Sequence, residues 1–509
     1  MIGVLRIVSF VALCLAPFSW SWAQVDSTAL RYANTITTDD LRRHLSILAS
    51  DEYQGRDTGK EGQKMAAQYL IEQFSSFGIP PVPASDPAAI VQGYLQPFTL
   101  IEEHSGSIRM ATTGDTLGLL NGLLYFNEYL SADRVVDHVV YLGEGNDWKG
   151  VKGLEGSVAL MRSTGTVTEL MSTLRPKAEQ AANAGVEVLL VSTADMNGLV
   201  KEMGLLVQGS RMRLAYLPTK EKRGGLQVVL VDDARLNTLL TKGNWAKAQR
   251  SKPGKRLGTA FTLLHRPLRQ EVVSENVLAY IEGTDKKDEL VVVTAHYDHV
   301  GVENGEVYNG ADDDGSGTVA LVEMAEAFAK ARAEGNGPRR SVLIMPVSGE
   351  EKGLLGSRYY SDHPVFPMEN TVADLNIDMI GRTDSAHAGG TPYIYVIGSD
   401  RLSTDLHRIN EEANSTYSKL ELDYTFNAVN DPNRFYYRSD HYNFARKGVP
   451  SIFYFSGIHE DYHQPGDDVE KIEFDRLHQR ALLVFHTAWE LANREERVVV
   501  DKPLEPARP

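Results

Sequence analysis

Imidazole and carboxylate side chains recur at five places in the second half of this chain. They are His296 (in TAHYDHVG), Asp313 (NGADDDGSG), the Glu350-Glu351 pair (VSGEEKGLLGS), Asp378 (LNIDMIGR) and His463 (EDYHQPGDD). Nearly every one follows an apolar run that reads as a buried strand, and in open α/β sheets ligands gather at the carboxyl ends of strands. A mixed nitrogen and oxygen donor set suits zinc-like ions, and a pair of such ions suits hydrolysis.

Each motif also has a plainer reading. His296 and Asp298 form H-x-D, and residues two apart on a strand share a face. The imidazole can bind a metal while the carboxylate holds its other ring nitrogen, but a lone H-x-D is more often a hydrogen-bonded strand end. Three consecutive acids, Asp312 to Asp314, repel one another unless a cation or the N-terminus of the following helix offsets them. The Glu pair divides labour: a carboxylate bound to a metal is a poor base, so one glutamate binds while its neighbour faces the attacking water. Asp378 interrupts an apolar run, where an acid is costly unless it is paired or coordinates a metal; Asp374 is its nearest rival. His459 and His441 compete with His463. The set is far more specific than any member, because five such sites at successive strand ends are hard to obtain by chance.

These residues need a scaffold, and the pattern predicts one. The runs NVLAYIEG, ELVVVTAHYD, SVLIMPVSGEE, VADLNIDMI, PYIYVIG and VPSIFYFSG read as strands. GTVALVEMAEAFAKARAEG and FDRLHQRALLVFHTAWELANR read as helices. Continuous apolar strands alternating with helices predict an α/β fold with a mostly parallel sheet covered on both faces. Two helices are expected near the front, over 38–50 with Thr38 as cap and over 60–77. From about 120 to 255 short strands (HVVYLG, SVALMRS, VEVLLVS, LQVVLVD) alternate with glycine-rich turns and one helix at KAEQAANAGVEV, with no ligand cluster. This stretch reads as a smaller β-rich inserted domain, left through a basic linker at 249–257. The expected division is a signal peptide at 1–23, the first part of the catalytic domain at 24–119, the insert at 120–255, the main catalytic segment at 256–496, and a frayed tail at 497–509.

Bulk properties narrow the function. A chain of 509 residues, 42% hydrophobic and 24% charged, is an ordinary globular mixture with room for more than one domain. A net charge of −16 argues against a nucleic-acid partner. Arg6, the apolar run after it and Ser21-Trp22-Ala23 read as a cleavable signal peptide. The apolar run is short for a membrane span, and no later segment is apolar enough to be one. Cys14 is the only cysteine and falls within this signal. Leu13 before it argues against lipidation. The expected mature protein is secreted or periplasmic, without disulfides, thiolate metal sites or cysteine nucleophile.

From about 272 to 495 the sequence resembles the co-catalytic zinc aminopeptidase family, whose relatives include glutamate carboxypeptidase and glutaminyl cyclases. The resemblance rests on His296 with Asp298, the D-x-G-S-G of 313–317, Glu350-Glu351, Asp378, Ser439-Asp440-His441 and Tyr462-His463. It implies two Zn2+ ions bridged by Asp313. His296 and Asp378 would bind one, and Glu351 and His463 the other. Glu350 would be the general base, Asp298 would orient His296, and Tyr462 would hydrogen-bond the oxyanion. The insert resembles a protease-associated domain, and ASDEYQGRDTGKEG resembles the family's lead-in. A second dizinc peptidase family shares the ligand order but places its large insert between the later ligands, whereas here the insert precedes His296. The resemblance implies a secreted exopeptidase that removes N-terminal residues from peptides. The rivals are a carboxypeptidase or dipeptidase, a glutaminyl cyclase-like acyltransferase, and a non-catalytic binding module. Side-chain preference and oligomeric state are not legible.

Overall fold

The apolar runs that precede the ligand motifs become strands of one sheet in a computed structural model that describes residues 25–82, 91–125, 132–146, 148, 150–218 and 225–504. The expected signal peptide at 1–23, with Cys14, lies outside the described residues. The sheet has seven strands, in the spatial order Ala279–Ile281, Arg340–Val347, Lys286–His296, Thr371–Ile377, Ser451–Phe455, Tyr393–Ile397 and Glu421–Asp423. The second to fifth of these are mutually parallel, and antiparallel pairings attach Ala279–Ile281 and Tyr393–Ile397 on either side. Every residue of Arg340–Val347, Thr371–Ile377 and Ser451–Phe455 is buried, as expected of parallel strands covered on both faces.

Two layers of helix provide that cover. On one side the helices Thr38–Leu48, Glu61–Ser76, Gly317–Ala333 and Phe474–Asn493 share the largest apolar cluster with the sheet. Gly317–Ala333 is buried on nearly all sides, which explains its almost uniformly apolar sequence. On the other side Tyr360, from helix Leu355–Asp362, and Phe444, from helix His441–Ala445, pack over Leu343 and Met345. The front helix is capped by Thr37 rather than Thr38: the Thr37 hydroxyl accepts from the Asp40 amide at 3.1 Å.

A second sheet, of nine strands, is built between the front helices and the ligand-bearing strands. The four short apolar runs form its strands Ala132–Tyr141, Val158–Arg162, Val188–Thr193 and Gln227–Asp232. Apolar clusters on its two faces give it a core of its own. Its helix Val167–Asn183 begins well before the expected 177, at a capping box made by Thr166 and Glu169, and carries Pro176 inside it. The expected linker at 249–257 leads directly into a 22-residue strand, Arg256–Val277. This strand pairs with Leu95–Ala111 from Leu95↔Val277 out to Ala111↔Thr262, so the second sheet extends beyond 120–255 on both sides. Much of the ribbon is solvated and polar, which hid its length in the sequence. Its inner end seats Phe98 and Leu100 against Leu355, just after the Glu pair.

In its described part, up to 504, the tail departs from the frayed segment expected from 497. Val498 is buried, Arg497 Nη2 donates to the Glu369 carbonyl at 2.7 Å, and the Asp501 amide donates to the Leu402 carbonyl at 3.1 Å. Among the described residues no helix is long and apolar enough to cross a membrane.

Candidate metal centre

The ligand motifs sit where four parallel strands end, and the loops beyond them aim the side chains inward. His296 is the last residue of its strand; Glu350-Glu351 and Asp378 follow theirs within a few residues. The Asp378 amide still pairs with the Tyr454 carbonyl at 3.1 Å, which fixes its height above the sheet.

The three consecutive acids take three different roles. Asp314 turns into the scaffold, accepting from the amides of His296 (3.2 Å), Gly317 (2.9 Å) and Met379 (3.0 Å). It thereby ties two strand ends to the start of helix Gly317–Ala333. Asp312 accepts from the Gly381 amide at 2.6 Å and faces His459 Nε2 at 3.3 Å. Only Asp313 points into the cluster, and the amides of Asp312 and Asp313 are both held by the Asp467 carboxylate at 3.0 Å. Gly310, at φ 54°, makes the turn into this loop; a Cβ there would lie 2.3 Å from the Asp313 carbonyl.

Asp313 lies between two groups of donors. Its Oδ1 is 3.2 Å from His296 Nε2, which is itself 3.6 Å from Asp378 Oδ1. Its Oδ2 is 3.1 Å from His463 Nε2, and that nitrogen is 3.1 Å from Glu351 Oε2. A further imidazole, that of His299, brings Nδ1 to 2.8 Å from Glu351 Oε1 and 3.9 Å from Asp313 Oδ2. Thus the structure gathers all five sequence-predicted ligand residues, and adds His299, which the sequence reading missed. The rivals are engaged elsewhere. Asp374 accepts from Thr294 Oγ1 at 3.0 Å, His441 stacks on Phe453 with ring centroids 5.0 Å apart, and His459 faces Asp312.

A surrounding layer holds these groups in place. Ser439 Oγ donates to Asp378 Oδ2 at 2.6 Å. Thr318 Oγ1 donates to the His296 carbonyl at 2.7 Å. Asp298 differs from its expected role. The other ring nitrogen of His296, Nδ1, meets the main-chain carbonyl of Asp298 at 3.0 Å and its carboxylate only at 3.9 Å. That carboxylate instead accepts from Thr58 Oγ1 at 2.6 Å and from the Glu350 amide at 3.3 Å, so it joins the lead-in loop to the Glu pair. Arg56, in the same loop, is buried and donates to the carbonyls of Leu48, Tyr297, Asn309 and Gly310 at 2.7–2.9 Å.

The electrostatics separate the two glutamates. Burial raises the Glu350 carboxyl well above its usual range; the His296 ring opposes this, and the Glu351, Asp378 and Asp440 carboxylates add to it. Burial and the Asp313 charge also work against ionised Glu351, but His299 and His463 bring it down to about 2. Although burial raises Asp313 too, the His296 and His463 rings hold it well below the ordinary carboxylate range. Glu350 Oε2 stands 4.0 Å from His296 Nε2, beside a pocket whose other walls are Met379, Phe435, Phe453, Phe455, Ile458, Arg438 and Tyr462. Tyr462 stacks on His463 with centroids 4.0 Å apart, and its hydroxyl lies 3.4 Å from Arg438 Nη2. Burial first, and then the surrounding carboxylates, push its phenol upward, so the hydroxyl keeps its proton.

Among the described residues, His296 Nε2, His299 Nδ1, Asp313 Oδ2 and Glu351 Oε1 are buried without a hydrogen-bond partner. Buried polar atoms are ordinarily paired. Here four unpaired ones converge, and His296, Asp313 and Asp378, like His299, Asp313 and Glu351, offer ligand atoms within 4.8 Å of one another. Nitrogen and carboxylate donors at such spacing fit zinc.

The comparisons with known proteins agree. Residues 276–488 match the model of peptidase family M28. The matched stretch holds the whole donor set, while the lead-in loop and nearly all of the second sheet lie before it. Among curated relatives, a probable zinc metalloprotease of Pyrenophora tritici-repentis is 29% identical over 262 residues, covering 43% of this chain and 52% of that protein. A probable leucine aminopeptidase of Arthroderma otae is 30% identical over 224 residues, covering 43% of this chain and 57% of that protein. The chain therefore spans only about half the length of the curated relatives it matches. The fold extends further. The solved structure of an aminopeptidase from Aneurinibacillus sp. strain AM-1 covers 94% of this chain and all of its own, at a TM-score of 0.54 and 18% identity.

Proposed function

We propose that the protein is a dizinc aminopeptidase. The single observation that carries this reading is Asp313, with one oxygen facing His296 and Asp378 and the other facing Glu351 and His463. So placed, Asp313 would help to hold both ions. When bound, the two ions would polarise the scissile carbonyl and lower the pKa of water toward neutrality.

The side chains supply the rest. Glu350 is next to the donor set without belonging to either donor group, so its carboxylate takes a proton from the attacking water and returns it to the leaving amine. Its raised affinity for protons, a consequence of burial among acids, falls when cations neutralise those acids. Tyr462 keeps its phenolic proton and donates a hydrogen bond to the developing oxyanion. Met379, Phe435, Phe453, Phe455 and Ile458 form an apolar recess beside Asp378 and Glu350, which favours substrates whose N-terminal residue is apolar. The second sheet, read as protease-associated, shapes access for longer peptides. Arg6, the apolar run that follows it and Ala23 support export with removal of 1–23; N-terminal sequencing of the mature protein checks this.

The test is Glu350→Gln. Turnover of an aminoacyl anilide should fall by ~10²–10⁴ while both zinc ions remain. Unchanged turnover in the pure variant would remove Glu350 from the chemistry.

A further inference from the structure

His299 stands one residue beyond the H-x-D motif, where the strand has ended and no periodicity marks it. Its position is nevertheless fixed. Its amide donates to the Arg56 carbonyl at 3.2 Å, and its backbone bridges to Asp57. Its ring lies against Gly310, where a Cβ would come within 2.5 Å of both Cγ and Cδ2. The side chain is 0% exposed, and neither ring nitrogen has a hydrogen-bond partner. The Nδ1 approach of 2.8 Å to Glu351 Oε1 is short, but it is not aligned as a hydrogen bond. A buried imidazole that spends neither nitrogen on hydrogen bonding is costly, unless one nitrogen has another partner.

We propose that His299 is a metal ligand, through Nδ1, on the Glu351 side of the centre. This rests on the dizinc reading and extends it. The Glu351 side would then have four protein side chains, those of Asp313, Glu351, His463 and His299. The other side would have three, those of His296, Asp313 and Asp378. Four protein ligands close a zinc site, whereas three leave a position for water or substrate. The two ions therefore differ in exchange: the one on the Glu351 side is retained, and the one beside Glu350 is the open, more readily lost one.

The test uses the full chain, stripped of zinc and reloaded with Zn2+ or Co2+. Stepwise chelation of the zinc protein should release one ion well before the other. NMR of the dicobalt protein should show strongly shifted ring protons from three imidazoles, those of His296, His299 and His463; shifts from only two would overturn the proposal without any variant. Two variants add to this. His299→Ala removes the ring, and His299→Asn keeps an N–H near the Nδ1 position while being a poor ligand. Both should weaken the more tightly held zinc by more than the ~10–100-fold expected for losing a hydrogen-bond partner of a ligand, and both should change the cobalt visible spectrum. If His299→Asn keeps wild-type affinity and spectrum, His299 only positions Glu351 and the proposal fails. A wild-type protein that binds fewer than two ions contradicts the dizinc reading itself, before any variant is measured.

Discussion

Asp312, Asp313 and Asp314 are chemically identical, and only their surroundings tell them apart. From the residues alone all three are open; the family resemblance favours Asp313, and in the structure the three carboxylates have different neighbours. Asp314 spends both oxygens on backbone amides, and Asp312 spends one on the Gly381 amide and turns the other to His459, leaving Asp313 to face both donor groups. Asp313→Ala should therefore lose zinc and activity together. Asp312→Ala should keep zinc but lower stability by about 1–3 kcal/mol, because the Gly381 amide loses its acceptor. Metal analysis and urea melts of the two variants check this, and metal loss from Asp312→Ala alone would reverse the assignment. His299 and the carbonyl of Asp298 were not legible, since both lie past the strand end, where side-chain direction depends on loop geometry.

At the scale of elements, the ligand-bearing strands were legible because a parallel strand buried on both faces must be apolar throughout, so an acid or imidazole at its end stands out. The ribbon of Leu95–Ala111 and Arg256–Val277 was not, because its solvated stretches carry residues such as Arg266, Arg269, Gln270 and Glu271. The lead-in loop stands out in the sequence only through the family resemblance, yet it is mechanically central. Arg56 fastens it to Leu48 and to the carbonyls on either side of the donor loops. Arg56→Met would leave these buried acceptors unmet and should cost roughly 3–5 kcal/mol. Arg56→Lys should recover little, because an ammonium cannot reproduce the planar fork. Urea midpoints decide the matter: a Lys variant as stable as wild type would show that charge, not geometry, matters there.

At the scale of the molecule, the second sheet has its own core but rests on the unit built around the seven-stranded sheet. Met212 and Leu214 join Phe98 and Leu100 around Leu355, and the Tyr216 hydroxyl donates to Asp362 at 2.7 Å. All the donors of the metal centre lie outside it. Replacing 112–261 by a tight turn between the paired residues Ala111 and Thr262 should therefore leave both metals and the hydrolysis of small aminoacyl substrates intact. It should change preference among longer peptides and expose apolar surface near Leu355. A folded, metal-loaded deletion that is dead on the smallest substrate would mean that the second sheet supplies a reacting group.

The central claim is a pair of zinc ions serving the hydrolysis of a free N-terminus. Its most direct measurement is a zinc titration of the metal-free protein, followed with leucine anilide and with the same substrate acetylated at its amine. Activity on the free amine should rise until two zinc ions are bound per chain and then level off, with negligible hydrolysis of the blocked substrate. Full activity at one ion, or equal rates on the two substrates, would contradict the account.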